Sequence, residues 1–300
     1  MRKQVHGILL LDKPINMTSN GALQRVKRLF NAIKAGHTGS LDPIATGMLP
    51  ICFGEATKFS QFLLDSSKTY YVEVKLGEQT NTGDTEGEVV AVKETAHVNQ
   101  ENLNAALKKF LGKSSQIPPM FSAIKHQGQP LYRLARRGIQ VERKPREITI
   151  FSIELNSFNT NTFTFTVHCS KGTYVRTLVE DICKEVGCCG HVKELRRLAV
   201  APYGDAKMYS LNQIEELANK TGETTLYNSL LPIETAVQSY PLVKLTTTSA
   251  YYLRMGQAVR APNASTNVLV RLMSEDMTFL GVGEVLADGR VKPHRLVTYS

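Results

Sequence analysis

Residues 37–47 have the sequence HTGSLDPIATG, a polar stretch with one histidine and one aspartate five residues apart. Gly39 and Gly47 permit backbone conformations that other residues resist. Pro43 fixes its own φ and moves Asp42 toward an extended conformation, so the stretch predicts a shaped loop and not a helix. Because such loops often present functional side chains, Asp42 is a candidate catalytic carboxylate. The competing interpretation is that Asp42 only forms a turn with Pro43.

The composition is that of a globular protein with a basic surface. Of the 300 residues, 42% are hydrophobic and 21% are charged, which supports a sizeable core. The net charge of +9 favours a polyanionic partner such as nucleic acid or an anionic membrane surface, although it can also serve solubility alone. The basic residues form two clusters along the sequence. The larger cluster contains Lys125, Arg133, Arg136, Arg137, Arg143, Lys144 and Arg146, and the smaller one contains Arg25, Lys27, Arg28 and Lys34. These clusters predict phosphate contacts or, alternatively, solvated faces.

Several classes of protein lack support in the sequence. The five cysteines are odd in number and show no CxxC spacing, which argues against a disulfide framework and a structural zinc site. The apolar run Ile8–Leu11 is too short for a signal peptide, and no window approaches the ~20 apolar residues of a membrane span. Phosphate-loop and HExxH motifs are missing from the sequence. We therefore expect no membrane segment, no metal and no nucleotide cofactor.

Strand and helix patterns alternate without a strict βαβ repeat, which predicts an α+β fold with a mixed or antiparallel sheet. Predicted strands cover residues 7–11, 70–76, 88–92, 148–155 and 163–169. Predicted helices cover about 19–30, 55–64, 100–110, 131–137, 174–186 and 211–218, with Thr18 or Ser19, Asn99 and Thr173 as N-caps. From about residue 240, short β-type runs at 242–245, 268–273, 279–286 and 296–299 predict a small all-β module of roughly 60 residues.

The HTGSLDPIATG stretch resembles the active-site motif of the TruB family of pseudouridine synthases, and further family segments lie along the chain in the family's order. They are GILLLDKP (7–14), KTY (68–70), PPMFSAIK (118–125), CSKGTYVRT (169–177) and LRRL (195–198). The resemblance covers roughly residues 5–240, and one difference is Cys189, where a smaller residue is expected.

Members of this family isomerise uridine 55 in the T-loop of tRNA. The resemblance implies a pseudouridine synthase-type mixed or antiparallel sheet with flanking helices in a catalytic domain of residues 1–239. It also implies a small C-terminal β-barrel of PUA type, an RNA-binding module, at residues 240–300. The expected protein is a cytoplasmic monomer that binds the T-arm stem-loop of tRNA and needs no cofactor.

The reaction breaks the bond from C1′ to N1 of uridine and forms one from C1′ to C5, without electron transfer or energy input. One carboxylate acting as nucleophile or base can suffice, and the resemblance implies that Asp42 is this group. Whether Asp42 attacks C1′, adds to the base or removes the 2′ proton is left open. The resemblance also implies that Arg176 orients Asp42 through charge-assisted hydrogen bonds, the alternatives being phosphate binding and a solvated helix position.

Four further residues are implied to lie near the substrate. Tyr70 can stack on the uracil ring and relay a proton, while Tyr174 and Leu195 resemble pocket walls that exclude water. For all three, ordinary core packing is the competing interpretation. Asp84 either adds a polar contact near the site or serves only a turn.

His37 and Lys13 complete the set. Because the target base is stacked in a folded loop, it must be flipped out, and His37 resembles the family residue that fills the vacated space. A structural histidine is the simpler alternative, and a metal pair with Asp42 lacks a third ligand. Lys13 is implied to contact a phosphate or to brace the pocket.

Two other functions remain compatible with these residues. The basic clusters and the β-module would equally suit a non-enzymatic tRNA-binding or RNA-folding protein. His37 and Asp42 would suit a metal-dependent hydrolase acting on nucleotides.

Overall fold

The computed structural model describes residues 1–220, 222–261 and 264–298. Within these ranges the strands are β1 (Gly7–Lys13), β2 (Ala35–His37), β3 (Thr46–Phe53), β4 (Lys68–Leu76), β5 (Glu78–Thr80), β6 (Val89–Val92), β7 (Gly112–Gln116), β8 (Lys125–His126), β9 (Gln129–Pro130), β10 (Arg146–Asn159), β11 (Thr162–Cys169), β12 (Gly190–Val200), β13 (Tyr209–Ser210), β14 (Leu242–Leu245), β15 (Val259–Arg260), β16 (Leu269–Ser274), β17 (Phe279–Val285) and β18 (Arg290–Leu296).

The helices flank these strands. They are α1 (Ser19–Leu29), α2 (Ser60–Asp65), α3 (Gln100–Lys109), α4 (Leu131–Ala135), α5 (Val175–Glu185), α6 (Leu211–Lys220), α7 (Gly222–Tyr227) and α8 (Thr247–Arg254), with 3₁₀ turns at Gly54–Phe59 and Ile233–Val237. The predicted helix at 55–64 is therefore a 3₁₀ turn followed by a short α-helix. In the part of the chain that the structure describes, no helix is long and apolar enough to cross a membrane.

The chain forms two compact units. The first contains Met1–Asp42, Met48–Ser66 and Ala201–Ser300, and the second contains Pro43–Gly47 and Ser67–Val200. These units are interleaved along the sequence because β3 contributes its first residues to the second unit and the rest to the first. The predicted division into residues 1–239 and 240–300 stays a prediction.

The first unit contains one part of the mixed sheet, with strands in the order β13-β1-β3, and the C-terminal module. In the sheet, β1 pairs in parallel with β13, and β2 pairs antiparallel with β3. The apolar run of β1 is buried throughout Ile8–Leu11, as expected for a strand covered on both faces. Phe30 at the end of α1 packs against Phe53, with ring centroids 4.8 Å apart.

The C-terminal module is a five-stranded sheet in the order β14-β16-β17-β18-β15. It confirms a small β-module, but the all-β prediction missed α8, which begins after the N-cap Thr246 and packs Leu253 into the module core. The last predicted strand lies earlier than expected, at Arg290–Leu296. Tyr299, at the end of the predicted run 296–299, lies outside the described residues.

The second unit contains five strands of the mixed sheet, in the order β12-β4-β11-β10-β7. These strands pair antiparallel, and the first two residues of β3 add a parallel pairing with β12. Buried apolar side chains alternate with half-buried side chains along β11 and along β4 from Val72 onward, as the sequence predicts. β12, next to β4, was not predicted. The α+β class with a mixed sheet is confirmed.

Between β7 and β10 the chain leaves the sheet as an arm, defined here as residues 117–145. The arm contains β8, β9 and α4. Its ends meet because Gln116 and Arg146 are register partners on β7 and β10. The Arg143 guanidinium also donates from Nη1 to the carbonyl oxygen of Pro118, at 3.0 Å. The arm therefore starts and finishes at one closed strand pair.

The start of α5 differs from the sequence prediction. Thr173 does not cap the helix, because its hydroxyl donates instead to the carbonyl oxygen of Ser170 at 3.0 Å. The N-cap is Tyr174, whose backbone is extended and whose side chain makes no capping hydrogen bond. This helix therefore begins without a side-chain cap of its own.

The cysteines are buried thiols. Burial raises the pKa of Cys52 to about 12 and that of Cys169 to about 11, which keeps both protonated at neutral pH. Cys189, the unexpected residue in the family segment, fits as a buried side chain whose Sγ lies 3.9 Å from the carbonyl oxygen of Ala91. The larger side chain at position 189 is thus accommodated by packing.

Candidate active site

Asp42 lies half-buried in the loop that joins β2 to β3, which confirms the loop predicted for this stretch. Ser19, the first residue of α1, forms hydrogen bonds with both backbone groups of Leu41, the residue before Asp42. The Ser19 hydroxyl donates to the Leu41 carbonyl oxygen at 3.0 Å and accepts from the Leu41 N–H at 2.7 Å. Since Ser19 is buried, this contact holds the backbone next to Asp42 against α1.

His37 lies immediately before the same loop. It is the last residue of β2, it is half-buried, and it is the register partner of Ile51 on β3. The next residue, Thr38, donates its backbone N–H to the Pro50 carbonyl oxygen at 3.1 Å. Within the described ranges, no group of three His, Cys, Asp or Glu side chains could hold a metal ion.

Lys13 is fully buried at the end of β1. Its ammonium group donates to the carbonyl oxygens of Pro14 at 2.9 Å and Met17 at 2.6 Å. Lys13 thereby braces the turn that leads to Thr18, the N-cap of α1, whose hydroxyl accepts from the Gly21 N–H. Because Ser19 follows this turn, Lys13 helps to place the residue that holds the Asp42 loop.

In the second unit, Arg176 is a buried charge with defined partners. Its guanidinium donates to the carbonyl oxygens of Thr82 at 2.8 Å and Phe121 at 2.7 Å. The Asp84 carboxylate lies 3.5 Å from Nη1, and the two side chains are 7% and 3% exposed. Buried charges of this kind require such compensation. The structure thus brings together Arg176 and Asp84, two of the predicted site residues.

The Asp84 carboxylate also stabilises the turn in which it lies. Its Oδ1 accepts from the Thr82 hydroxyl at 2.6 Å and from the Glu86 N–H at 3.1 Å. Asp84 thus stabilises a turn and also faces Arg176, while its predicted contact near the substrate stays a prediction. The predicted pairing of Arg176 with Asp42 stays a prediction.

Tyr70 and Leu195 share one face of the sheet in the second unit. Val72 on β4 is the register partner of Leu195 on β12, and Tyr70, two residues before Val72, is the partner of Arg197. Because register partners and residues two apart project to the same side, these side chains form one patch. Leu195 is buried and Tyr70 half-buried. Arg197 is also buried. The sequence gave no indication that a charged residue of the LRRL segment would be buried.

Tyr174 is held by a residue that sequence reasoning missed. The Gln116 side chain accepts from the Tyr174 N–H at 2.8 Å and donates to the Tyr174 carbonyl oxygen at 3.1 Å. A single glutamine at a strand end carries no recognisable signal, because its role depends on a contact 58 residues away.

A cavity of about 520 Å³ lies against α5. Its walls come from the Asn81 turn, the arm and α5, and include Arg143, Arg176, Thr177 and Glu180. Burial raises the pKa of Glu180, and the neighbouring Asp181 acts in the same direction, whereas Gln79, Arg176 and Arg143 oppose it. The cavity adds a partly buried acid that the sequence did not identify.

The sequence was compared with known protein families. Residues 27–175 match the TruB family pseudouridylate synthase (N terminal domain), residues 176–238 the tRNA pseudouridylate synthase B C-terminal domain, and residues 241–297 the pseudouridine synthase II TruB, C-terminal. The chain is 51% identical over 296 residues to tRNA pseudouridine synthase B of Coxiella burnetii (strain RSA 493 / Nine Mile phase I), covering 99% of this chain and 96% of that protein.

This chain belongs to the TruB family of pseudouridine synthases. A second member, tRNA pseudouridine synthase B of Pseudomonas fluorescens (strain Pf0-1), is 50% identical over 297 residues, with 99% of this chain and 97% of that protein covered. The predicted family is confirmed, and so is the predicted class of enzyme, an isomerase that forms pseudouridine.

Solved structures share the TruB fold of this chain. A chain in the crystal structure of a Cbf5-Nop10-Gar1 complex matches with a TM-score of 0.74 and 23% identity, covering 98% of this chain and 84% of that one. A chain in the structure of an H/ACA RNP bound to a substrate RNA containing 2′-deoxyuridine matches with a TM-score of 0.75 and 20% identity, covering 98% and 86%. At these identities the likeness establishes the fold, and it confirms the pseudouridine synthase-type architecture.

Proposed function

We propose that this TruB-family enzyme converts uridine 55 in the T-loop of tRNA to pseudouridine. The observation that carries this proposal is the 50–51% identity, over 99% of the chain, to proteins named tRNA pseudouridine synthase B. The net charge of +9 suits a polyanionic substrate. The finer assignment to the T-loop rests on the HTGSLDPIATG segment and the other family segments, which lie along the chain in family order.

Asp42 is the proposed catalytic group. The reaction cleaves C1′–N1 and forms C1′–C5, so every atom of the nucleoside is retained and the proton on C5 is released as N1 gains one. A carboxylate that acts first as nucleophile or base and then returns to its starting state satisfies this balance. The Ser19 contacts with Leu41 support the assignment, because they hold the backbone beside Asp42 in place. No redox or nucleotide cofactor is required by this balance.

Arg176 and Tyr70 are proposed to assist Asp42 in the reaction. In this proposal Arg176 keeps Asp42 ionised and oriented, and its own orientation is supported by Thr82, Phe121 and Asp84. Tyr70 stacks on the uracil and relays the proton, with Leu195 on the same face of the sheet as a pocket wall. Tyr174 forms a second wall.

Substrate binding is proposed to include base flipping. His37, the last residue of β2 before the Asp42 loop, fills the space that the flipped uridine leaves, and Lys13 braces the turn before α1. The basic arm and a PUA-type module at residues 240–300 bind the RNA backbone, and the catalytic domain comprises residues 1–239. We further propose that the protein acts in the cytoplasm as a monomer.

The direct test is pseudouridine formation in a transcribed T-arm stem-loop with EDTA present, comparing the wild type with Asp42→Asn. The substitution keeps the size of the side chain but replaces the basic carboxylate by a neutral amide. We expect activity to fall by about 10²–10⁴-fold or more, with the Kd for the stem-loop changed less than about threefold. Asp205→Asn, at an exposed aspartate, is the matched control and should retain full activity.

Two outcomes would contradict the proposal. If the wild type binds the stem-loop in a salt-sensitive manner but forms no pseudouridine, the chain acts on another RNA or serves as a binding protein. If Asp42→Asn retains wild-type activity, the catalytic group lies elsewhere.

A further inference from the structure

Gln116 makes an unusual contact for a side chain at the end of a strand. It is only 4% exposed, and its amide forms both a donor and an acceptor hydrogen bond with the backbone of Tyr174. The Tyr174 carbonyl oxygen also accepts from the Leu178 N–H at 3.0 Å, the first hydrogen bond of α5. Both backbone groups of Tyr174 are therefore fixed, one of them twice.

This contact replaces a helix cap. Tyr174 is the N-cap residue of α5 and makes no capping hydrogen bond of its own. A helix end without a side-chain cap is free to fray unless another element holds it. Gln116 holds the residue at which α5 begins, and Arg176 follows two positions later.

The position of Gln116 in the fold also connects it to the arm. It is the last residue of β7 and the register partner of Arg146, so it sits where the basic arm leaves the sheet. The arm has a second link to the same turn of α5, because the Phe121 carbonyl oxygen accepts from the Arg176 guanidinium. Two contacts with separate residues thus connect the start of the arm to the start of α5.

We propose that Gln116 is a positioning residue for pseudouridine formation: its side-chain amide holds the Tyr174 backbone and thereby places Tyr174 and Arg176. The inference rests on the proposed roles of Tyr174 and Arg176. It goes beyond them by assigning their orientation to a residue outside the family segments quoted above. Gln116 acts through Tyr174 and does not itself contact the substrate.

Two substitutions separate this role from simple stabilisation. Gln116→Met keeps the length and removes both hydrogen bonds. Gln116→Glu keeps the acceptor for the Tyr174 N–H but, when ionised, sets an oxygen against the Tyr174 carbonyl. When protonated, the introduced carboxyl can donate to that carbonyl, and the contact is restored. Ser115→Ala, at the exposed preceding residue of β7, is the matched control.

The pH dependence is interpretable because of the neighbouring charges. Arg146 is the register partner of Gln116, and Arg176, which faces Asp84, lies two residues after Tyr174; guanidinium groups stay charged throughout the range used. Burial opposite a carbonyl oxygen raises the pKa of an introduced carboxyl, whereas nearby guanidinium groups lower it, and the pH series shows where the Gln116→Glu side chain titrates.

The experiment measures kcat and KM on the T-arm stem-loop from pH 5.5 to 8.5, together with hydrogen exchange of the Tyr174 amide. At pH 8 we expect kcat to fall about 10- to 100-fold in both Gln116 variants, with KM changed less than about threefold. The ratio of kcat for Gln116→Glu to wild type should rise toward one as pH falls, whereas the ratio for Gln116→Met should stay flat. The Tyr174 amide should exchange faster in Gln116→Met than in Ser115→Ala.

A wild-type kcat for Gln116→Met, or unchanged protection of the Tyr174 amide in that variant, would overturn the inference. If the wild type forms no pseudouridine, the proposed function fails, while hydrogen exchange at Tyr174 still decides whether Gln116 holds the helix start.

Discussion

Glu180 illustrates how one partly buried carboxyl group links local packing to pH. It lines the cavity beside α5, and burial raises its pKa above the ordinary value. The native state therefore binds this proton more tightly than the unfolded chain does. The stabilising contribution is complete below the unfolded pKa and is lost as pH rises through the folded pKa.

We predict that Glu180→Gln becomes more stable than the wild type as pH rises. The neutral amide avoids the cost of burying a charge, so the difference in Tm should grow in favour of the variant between pH 5 and pH 8. Thermal denaturation across this range is the measurement. Glu154→Gln, at an exposed site, should show no such trend. A difference independent of pH would mean that the Glu180 pKa is not raised.

Ser19 offers a second test at the scale of a residue. Ser19→Ala removes both hydrogen bonds to Leu41 and leaves buried backbone groups without them. We expect unfolding to become easier by about 1–3 kcal/mol, and kcat to fall more than KM rises because the Asp42 loop loosens. Chemical denaturation and steady-state kinetics measure these effects. Ser40→Ala, exposed in the same loop, is the control, and equal behaviour of the two variants would contradict the role of Ser19.

The sequence identified a candidate site residue where a motif carried it, and missed residues that act through tertiary contacts. Asp42 and Arg176 stand in segments that resemble family motifs, so their identification needed no structure. Ser19 was considered only as a possible cap of α1, and Gln116 was not considered. Both act on backbone groups far away in sequence, and neither contact has a local pattern.

Among the elements, periodicity predicted the half-buried ones and failed for β12. β4 and β11 alternate apolar with polar residues because one face packs into the core. β12 carries charges at Lys193, Glu194 and Arg197, and Arg197 is buried, so its pattern does not reveal a strand. Pairing with β4 decides its structure, and pairing is a property of the tertiary fold.

Gly47 provides the prediction at this scale, because it lies where β3 meets β12. Its φ is +98°, and a Cβ there would lie 2.2 Å from the Arg197 carbonyl oxygen. We predict that Gly47→Ala destabilises the protein strongly, on the order of 3–5 kcal/mol, through backbone strain and steric clash. Urea unfolding is the measurement.

Gly36→Ala is the matched control for this substitution. A Cβ at Gly36 would meet nothing within 4 Å, and its φ lies outside the left-handed region. It should change the unfolding free energy by less than about 1 kcal/mol. Similar small effects of the two substitutions would show that the β3–β12 pairing can shift to accept a side chain.

At the scale of the whole molecule, the charge is unevenly distributed. The arm carries six basic residues and one acid: Lys125, Arg133, Arg136, Arg137, Arg143, Lys144 and Glu142. The structure shows that these residues belong to one excursion that begins and ends at the β7–β10 pair. The sequence predicted the cluster, whereas the common base of the arm becomes visible only from strand pairing.

We therefore predict that the arm contributes locally to RNA affinity, beyond its share of the net charge. The association constant for the T-arm stem-loop should fall linearly with salt on a double-logarithmic plot. Replacing the exposed Arg136 and Arg137 together by Gln should make this slope shallower by about 1.4–1.8, since each lost phosphate contact contributes about 0.7–0.9. Binding isotherms at several salt concentrations supply the slopes. The double substitution of the exposed Lys93 and Lys108 by Gln removes the same charge from elsewhere. If both double variants changed the slope equally, net charge alone would govern binding; an unchanged slope for the lysine pair would place phosphate contacts on the arm.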